Sequence, residues 1–288
     1  MIDILVLNYN DAVTTNDFVE SVKDYSCVHK ILIVDNHSTD DSLKKLKPLE
    51  SDKVLVVDTG KNGGYGAGNN FGLRYLKEKY NSEHILVCNP DVLISEIVIQ
   101  ELSLFLERNS VYAVVAPLME IPGKGYQYTA LKNENMFTFV MSVELFFSKL
   151  FSPLYLNVSG QQQDSFIDVY SVAGSLFMIN ARKITETNLY DENMFLYFEE
   201  FVLGKKIEQN KYKIALLPNI SFIHNHSVSI SKTYKSVLKK HMIYLRSYRY
   251  VIKHYFNSNL FYRLLSYVMS AVSLFEVFVW SNLKRVRW

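Results

Sequence analysis

The sequence predicts an α/β protein: a mostly parallel sheet flanked by helices, with a helical tail at its C-terminal end. Two patterns point to the sheet. Short apolar runs such as "ILIVDN" and "HILVCNPD" lack polar alternation, which marks strands buried on both faces. Stretches with helical spacing separate them, as crossovers between parallel strands require. A change of composition marks the tail. Residues 231–288 carry 11 Lys/Arg against one acid, Glu276, whereas the preceding residues carry 20 basic and 28 acidic groups.

Taken in order, "DILVLNY" (3–9) is the first strand, after which Phe18, Val22 and Tyr25 line one helical stripe. "KILIVDN" (30–36) is the second, and Ser38, Thr39 and Asp40 follow it as acceptors for the free N–H groups of a helix start. "KVLVVDT" (53–59) is the third strand, with a helix over 69–80. "HILVCNPDVLI" (84–94) contains the fourth, and "SEIVIQELSLFLERN" (95–109) is the helix after it. "VYAVVAPLM" (111–119) is the fifth strand. From Ile121 to Asp168 no period is visible, and the stretch reads as a variable loop or short helical insertion lining a cleft. "VYSVAGSLFMIN" (169–180) reads as one strand, "DENMFLYFEEFVLGKKIEQN" (191–210) as a turn entering a helix, and "KIALLPN" (213–219) as a last strand. The division is a catalytic domain over 1–230 and a tail over 231–288.

At 288 residues and 49% hydrophobic content, the chain can build one large domain with an appendage. Cys27 and Cys88 suit no disulfide framework, which points to a reducing compartment. The opening "MIDILVLNYN" lacks the basic region and long apolar stretch of a secretion signal and reads as a strand.

In the tail, "KSVLKKHMIYLRSYRYVIKHYF" (235–256) interleaves basic and aromatic residues. "LLSYVMSAVSLFEVFVW" (264–280) is almost wholly apolar, but short for a bilayer span, which needs about 20 such residues. It reads as a helix lying in the membrane interface, with Lys/Arg reaching outward and Trp280 and Trp288 at headgroup depth. The expected location is cytoplasmic, peripheral on the inner face of the cell membrane. Packing on the protein's own core or in a homodimer is the alternative. A nucleic-acid partner is disfavoured, because the apolar run would then stay in water.

In an open parallel sheet, ligands bind beyond the carboxyl ends of the strands. There the sequence places Asn8-Tyr9-Asn10, Asp35-Asn36, Asp58 before "GKNGGYGAGNN", and Asn89-Pro90-Asp91: a polar rim of nucleotide size. The glycine stretch does not follow the first strand, where a dinucleotide fingerprint belongs, and lacks the Gly-Lys-Ser/Thr ending of a phosphate loop. It instead allows close approach of backbone to a ligand, with Asn62, Asn69 and Asn70 supplying amides. Pro90 fixes its own φ and keeps Asn89 extended, which aims the Asp91 carboxylate in a set direction. A hard oxygen so placed suits Mn²⁺ or Mg²⁺. Further on stand the adjacent acids Glu199 and Glu200, about 100° apart around a helix. His224 and His226 would share one face of an extended segment.

Together "VLNYN", "IVDNHSTDDS", "NGGYGAGNNFG", "CNPDV", "VAGSLFMI", "YDENMFLYFEE" and "HNHSVS", in this order over residues 2–230, resemble the inverting family 2 glycosyltransferases of GT-A fold. The likeness is to the rhamnosyltransferase-like branch of bacterial surface-polysaccharide synthesis. The resemblance implies a UDP- or dTDP-linked sugar donor and a saccharide or polyprenyl-linked acceptor. It implies that Asn8, Asn10, Asp35, Asn62, Gly63, Asn69, Asn89 and Gly174 border the nucleotide sugar. It further implies that Asp91 and His224 hold Mn²⁺ or Mg²⁺, and that the catalytic base is Glu200 or Glu199. The chain departs from the pattern with Glu200 where Asp is usual, with Val202 in place of an acid, and at Lys205-Lys206. Two rival readings follow: a non-catalytic GT-A-like membrane scaffold, and a sugar nucleotidyltransferase. The latter wants a glycine-rich basic loop after the first strand, where "NYNDAVTT" stands.

Overall fold

Ile4 and Val6 pack on one face of the sheet and Leu5 on the other, and the same split separates Ile31 and Ile33 from Leu32 and Val34. Both faces are therefore apolar, and both are covered. The computed structural model describes residues 1–127, 130–143, 165–184, 189–225 and 236–285. The strands are β1 (Ile2–Asn8), β2 (Val28–Asp35), β3 (Val54–Asp58), β4 (His84–Cys88), β5 (Val92–Leu93) and β6 (Tyr112–Ile121). They continue with β7 (Gly125–Gln127), β8 (Ala130–Leu131), β9 (Ile167–Val169), β10 (Ser171–Val172), β11 (Leu176–Asn180) and β12 (Lys213–His224). The helices are α1 (Ala12–Val22), α2 (Ser42–Leu46), α3 (Tyr65–Tyr80), α4 (Glu96–Arg108), α5 (Met136–Met141), α6 (Ala181–Ile184) and α7 (Glu199–Gln209). The tail adds α8 (Val237–Tyr255) and α9 (Leu260–Arg285).

The main sheet runs β3-β2-β1-β4-β11-β6-β12-β5. Its first four strands are parallel, as the helices between these apolar runs imply. β11 enters antiparallel between β4 and β6. The segment expected as one strand over 169–180 is in fact two: β10 pairs with β8 in a separate small sheet, and β11 joins the main one. Gly174 stands in the break. β12 runs to His224, past the expected end at 219, and its register shifts between Leu217 and Ser221, where Pro218 supplies no donor.

The stretch from Ile121 to Asp168 has more structure than its lack of period implies: β7, β8 and α5 lie within it. α3 starts at Tyr65, inside the glycine stretch, so the expected loop is half helix. Gly64 precedes it at φ +92°, where a side chain would be strained and would collide with the Phe195 carbonyl. A side chain on Gly72 would collide with Leu5 of β1, so glycine there lets α3 settle closely on the sheet.

α1 and α4 pack on one face of the sheet through Phe18, Val22, Ile99 and Leu102. α3 and α7 pack on the other through Leu73, Leu76, Leu203 and Ile207. A third cluster joins Phe139 of α5, Phe201 of α7, Tyr248 and Val251 of α8, and Met269 of α9. The tail helices thus share a core with the helix that carries both glutamates. The boundary expected at residue 230 lies outside the described residues, as do His226 and Trp288.

α9 is longer than the apolar run suggests. Leu260–Ser281, 22 residues, is long and apolar enough to cross a membrane by length and composition alone. One of its faces is buried through Ser266, Met269, Ser273 and Val277. The other exposes Leu260, Phe261, Leu264, Tyr267, Val268, Phe275 and Phe278 in a stripe of helical spacing.

Candidate active site

The residues after β4 form the first part of the site. Asn89 is anchored by its N–H donating to the Ser175 carbonyl at 2.9 Å. The chain then turns through Pro90 into β5, which pairs antiparallel with the end of β12 and sets His224 opposite Val92. In consequence the His224 Nε2 lies 3.2 Å from Asp91 Oδ1. Asn225 N–H donates to the Asp91 carbonyl at 2.9 Å and locks the pairing. His224 Nδ1 lies 3.3 Å from the Met119 sulfur. Asp91 is 8% exposed and His224 is 7% exposed.

The donor set, one carboxylate oxygen and one imidazole nitrogen, fits a divalent cation. Neighbouring ligands of an octahedral ion bound at about 2.1 Å stand about 3 Å apart, close to the spacing found. Among the described residues, no third His, Cys, Asp or Glu joins them. The pair would therefore fill only part of a coordination sphere.

The second part is the glutamate pair at the first turn of α7. Glu200 Oε1 accepts from the Gly174 N–H at 3.2 Å, and the Gly174 carbonyl accepts from the Tyr65 hydroxyl at 2.7 Å. Ser175, next in the chain, is the residue bonded to Asn89. Glu200 and Asp91 are therefore joined along one edge through Gly174, Ser175 and Asn89. A side chain at position 174 would meet Glu200 Oε1 at 3.0 Å, so glycine keeps the carboxylate approachable.

Burial raises the pKa of both glutamates. Glu199, 7% exposed, is pushed up to about 8, by burial first and then by the charge on Glu200. Its Oε1 is buried without a hydrogen bond. The order follows from the partners: Glu200 has the Gly174 N–H to stabilise its charge, and that charge keeps Glu199 protonated. The two carboxyls therefore titrate as a pair, in which a charge on Glu200 opposes a charge on Glu199.

The expected nucleotide-contacting residues divide into a visible rim and a layer beneath it. Asn8 is fully buried: its amide donates to Asp35 Oδ2 at 2.7 Å and to Ser38, and its carbonyl accepts from Thr15. Asp35 is 1% exposed and accepts from the Ser38 N–H and hydroxyl at 2.7 Å each. These two are buried beneath the rim, and every side-chain polar atom of Asn8 has a protein partner. Asn10 has φ +54° and holds the 38–40 turn through Thr39.

Asn62 accepts from Asn36 and from the Gly64 N–H. A side chain on Gly63 would meet Ala67 at 2.7 Å. Asn69 is 1% exposed; it donates to the Tyr65 carbonyl, while its own Oδ1 is buried without a partner. It belongs to the interior of α3, a displacement that follows from the helix starting inside the glycine stretch.

Sequence reasoning missed Tyr65, whose hydroxyl reaches Gly174, because tyrosine in a glycine stretch reads as packing. It also missed Asn70 as a structural residue. Asn70 clamps both backbone polar groups of Tyr190 and so joins the glycine stretch to the segment before Glu199. A cavity of about 440 Å³ between β9, β12 and α7 lies at the other end of β12. Its Asp168 and Lys213 pair with each other at 2.7 Å.

Residues 3–172 match the sequence model of Glycosyl transferase family 2. The chain is 25% identical over 228 residues to the low-salt glycan biosynthesis hexosyltransferase Agl10 of Haloferax volcanii, covering 79% of this chain and 68% of that one. It is 22% identical over 253 residues to the rhamnosyltransferase WbbL of Escherichia coli K12, covering 85% and 92%. Among solved structures it resembles GalNAc-T7 with UDP, GalNAc and Mn²⁺ (TM-score 0.61, 17% identity), covering 78% of this chain but 43% of that one. It also resembles the mannosyltransferase PcManGT of Pyrobaculum calidifontis in complex with GDP-Man and Mn²⁺ (TM-score 0.57, 11% identity, covering 95% and 69%). The structural likeness is one of fold, and it is the GT-A arrangement that the sequence motifs imply. With its family match spanning more than half of its length, the chain belongs to glycosyl transferase family 2.

Proposed function

We propose that this protein transfers a sugar, with inversion, from a UDP- or dTDP-linked donor to a saccharide or lipid-linked acceptor in cell-surface polysaccharide synthesis. The observation that carries the reading is the placement of two acidic sites on one sheet edge: Asp91 with His224, and Glu200 with Glu199. The names of the relatives Agl10 and WbbL support a hexosyl or rhamnosyl donor and a growing glycan.

Asp91 and His224 would hold Mn²⁺ or Mg²⁺, the imidazole favouring Mn²⁺. The bound cation would supply charge neutralisation for the diphosphate. Glu200 takes the proton of the acceptor hydroxyl as that oxygen bonds to the anomeric carbon. The carbon–oxygen bond to the diphosphate breaks, and its electron pair leaves with the nucleotide. Glu199, kept neutral, can donate a hydrogen bond to a sugar or acceptor oxygen. The Gly64 turn and the buried Asn8–Asp35 pair hold the walls still, so little reorganisation accompanies the step.

The tail 231–288 serves as a membrane seat on the inner face of the cell membrane. α9 lies along the surface and does not span it, because α8 packs against its length and sets the Arg249 guanidinium 5.2 Å from the Tyr267 ring centroid. A cation held there belongs at headgroup depth.

A thermal-shift screen over nucleoside-diphosphate sugars, with and without Mn²⁺, tests the reading. Stabilisation by one donor class that depends on the metal, followed by turnover of that donor, is expected. Metal-dependent donor binding with no turnover by the wild-type chain would favour the non-catalytic scaffold.

A further inference from the structure

The segment 189–198, which leads into Glu199 and Glu200, is held from two sides. On the sheet side, Asn70 bonds the backbone of Tyr190, Glu192 accepts from Arg74 at 2.8 Å, and the Tyr65 N–H donates to the Phe195 carbonyl at 3.1 Å. On the tail side, Asp191 Oδ2 accepts two phenols of α8: Tyr255 at 2.7 Å and Tyr250 at 3.0 Å. Asp191 Oδ1 accepts from the N–H and the side-chain amide of Asn193. Ser247, also on α8, donates to the Leu196 carbonyl at 2.6 Å.

Between these anchors and α7, Tyr197 and Phe198 both take left-handed backbone angles, φ +74° and +66°. Two consecutive aromatic residues in that region are strained, and such strain persists only where the surroundings impose it. The surroundings here include the tail: both rings pack against Tyr244 of α8, and Phe198 also meets Phe139 of α5.

We propose that Tyr250 and Tyr255, acting through Asp191, are positioning residues for the Glu199–Glu200 pair, so that α8 is part of the catalytic unit and not a separable anchor. The proposal rests on the transferase reading only for its kinetic consequence. The clamp itself is a property of the folded chain. Burial works to raise the Asp191 pKa, but the hydrogen bonds from Tyr255, Asn193 and Tyr250 outweigh it, and the carboxyl is held below its usual range. The group is therefore an anion at any working pH, which makes both phenol bonds charge-assisted. Lys206 of α7 feels the same charge.

The test is the full chain carrying Tyr250→Phe and Tyr255→Phe, compared with wild type. Amide hydrogen exchange over Glu199–Leu203 is expected to quicken about tenfold while the β1–β4 amides stay unchanged. With donor and acceptor, kcat should fall about tenfold with donor KM within about twofold. The acid limb of the kcat–pH profile should move to lower pH, because water reaching the glutamates lessens the burial that raises them. Unchanged exchange in α7 would overturn the proposal. So would a loss of activity that only follows the folded fraction, with the acid limb unmoved. Should the double variant not fold, Tyr255→Phe alone is read in the same way. A wild-type chain that transfers nothing refutes the transferase reading, while the exchange comparison still decides the clamp.

Discussion

Asp91 and His224 stand 3.2 Å apart because the two-residue strand β5 pairs with the last residues of β12. The contact joins two motifs far apart in sequence and supplies the donor pair proposed for the cation. Removing either side chain should therefore abolish metal-dependent donor binding. Asp91→Asn and His224→Ala are each expected to lose the Mn²⁺-dependent thermal stabilisation by donor and to lower transfer by about a hundredfold or more. Stabilisation equal to that of wild type in both variants would remove the pair from the metal role.

Glu200→Gln keeps the shape and the Gly174 contact but cannot take a proton. Donor affinity should stay within about twofold, while transfer falls by about 10²–10⁴-fold. Glu199→Gln should be much milder, since the native side chain is already neutral at pH 7. If the two variants rank the other way, the base is Glu199.

Both glutamates are raised, and this sets two pH dependences of opposite sign. Activity needs Glu200 ionised, so the rate should climb with pH, with its midpoint above the ordinary carboxylate range. Stability moves the other way. Glu199 ionises near 4.5 when unfolded and at about 8 when folded, so the folded state holds the proton more tightly. Its contribution is complete below the unfolded value and is lost as pH rises through about 8. Thermal midpoints between these limits should fall with pH in wild type and fall less in Glu199→Gln.

The exposed stripe of α9 is accompanied by an excess of basic residues in the tail. Flotation should therefore carry the full chain with anionic vesicles, less with neutral ones, and less again at high salt. Phe261→Glu with Phe275→Glu, at positions each 65% exposed, should abolish flotation without unfolding the protein. Flotation that survives both charges would mean that another surface makes the contact.

Gly64 is a further check on the fold. Gly64→Ala puts a methyl group at φ +92° and against the Phe195 carbonyl. A loss of roughly 2 kcal/mol or more, read as a lower thermal midpoint, is expected. An unchanged midpoint would show that the turn before α3 relaxes freely.

Much of the architecture is legible in the residues alone. The unbroken apolar runs identify β1 to β4 and β6, since a strand covered on both faces needs no alternation. The polar ends of those strands identify the edge where ligands belong. The antiparallel entry of β11 was not legible, because an apolar strand carries no mark of its direction. Nor was the early start of α3: glycines read as loop until their absent side chains are seen to let the helix approach β1 and segment 189–198.

The site shows the same division. Residue types and order singled out Asp91, Glu199, Glu200 and the pair His224 and His226, and the family resemblance chose His224 between the two histidines. Only the tertiary structure decided which of the other polar residues line the rim and which, like Asn8 and Asp35, are buried beneath it, because hydrogen-bond partners distant in sequence set that difference. It also decided that α8 reaches the segment before the glutamates. Composition can mark a tail as basic and aromatic, but whether its phenols meet solvent, lipid or Asp191 depends on packing, which no local pattern encodes.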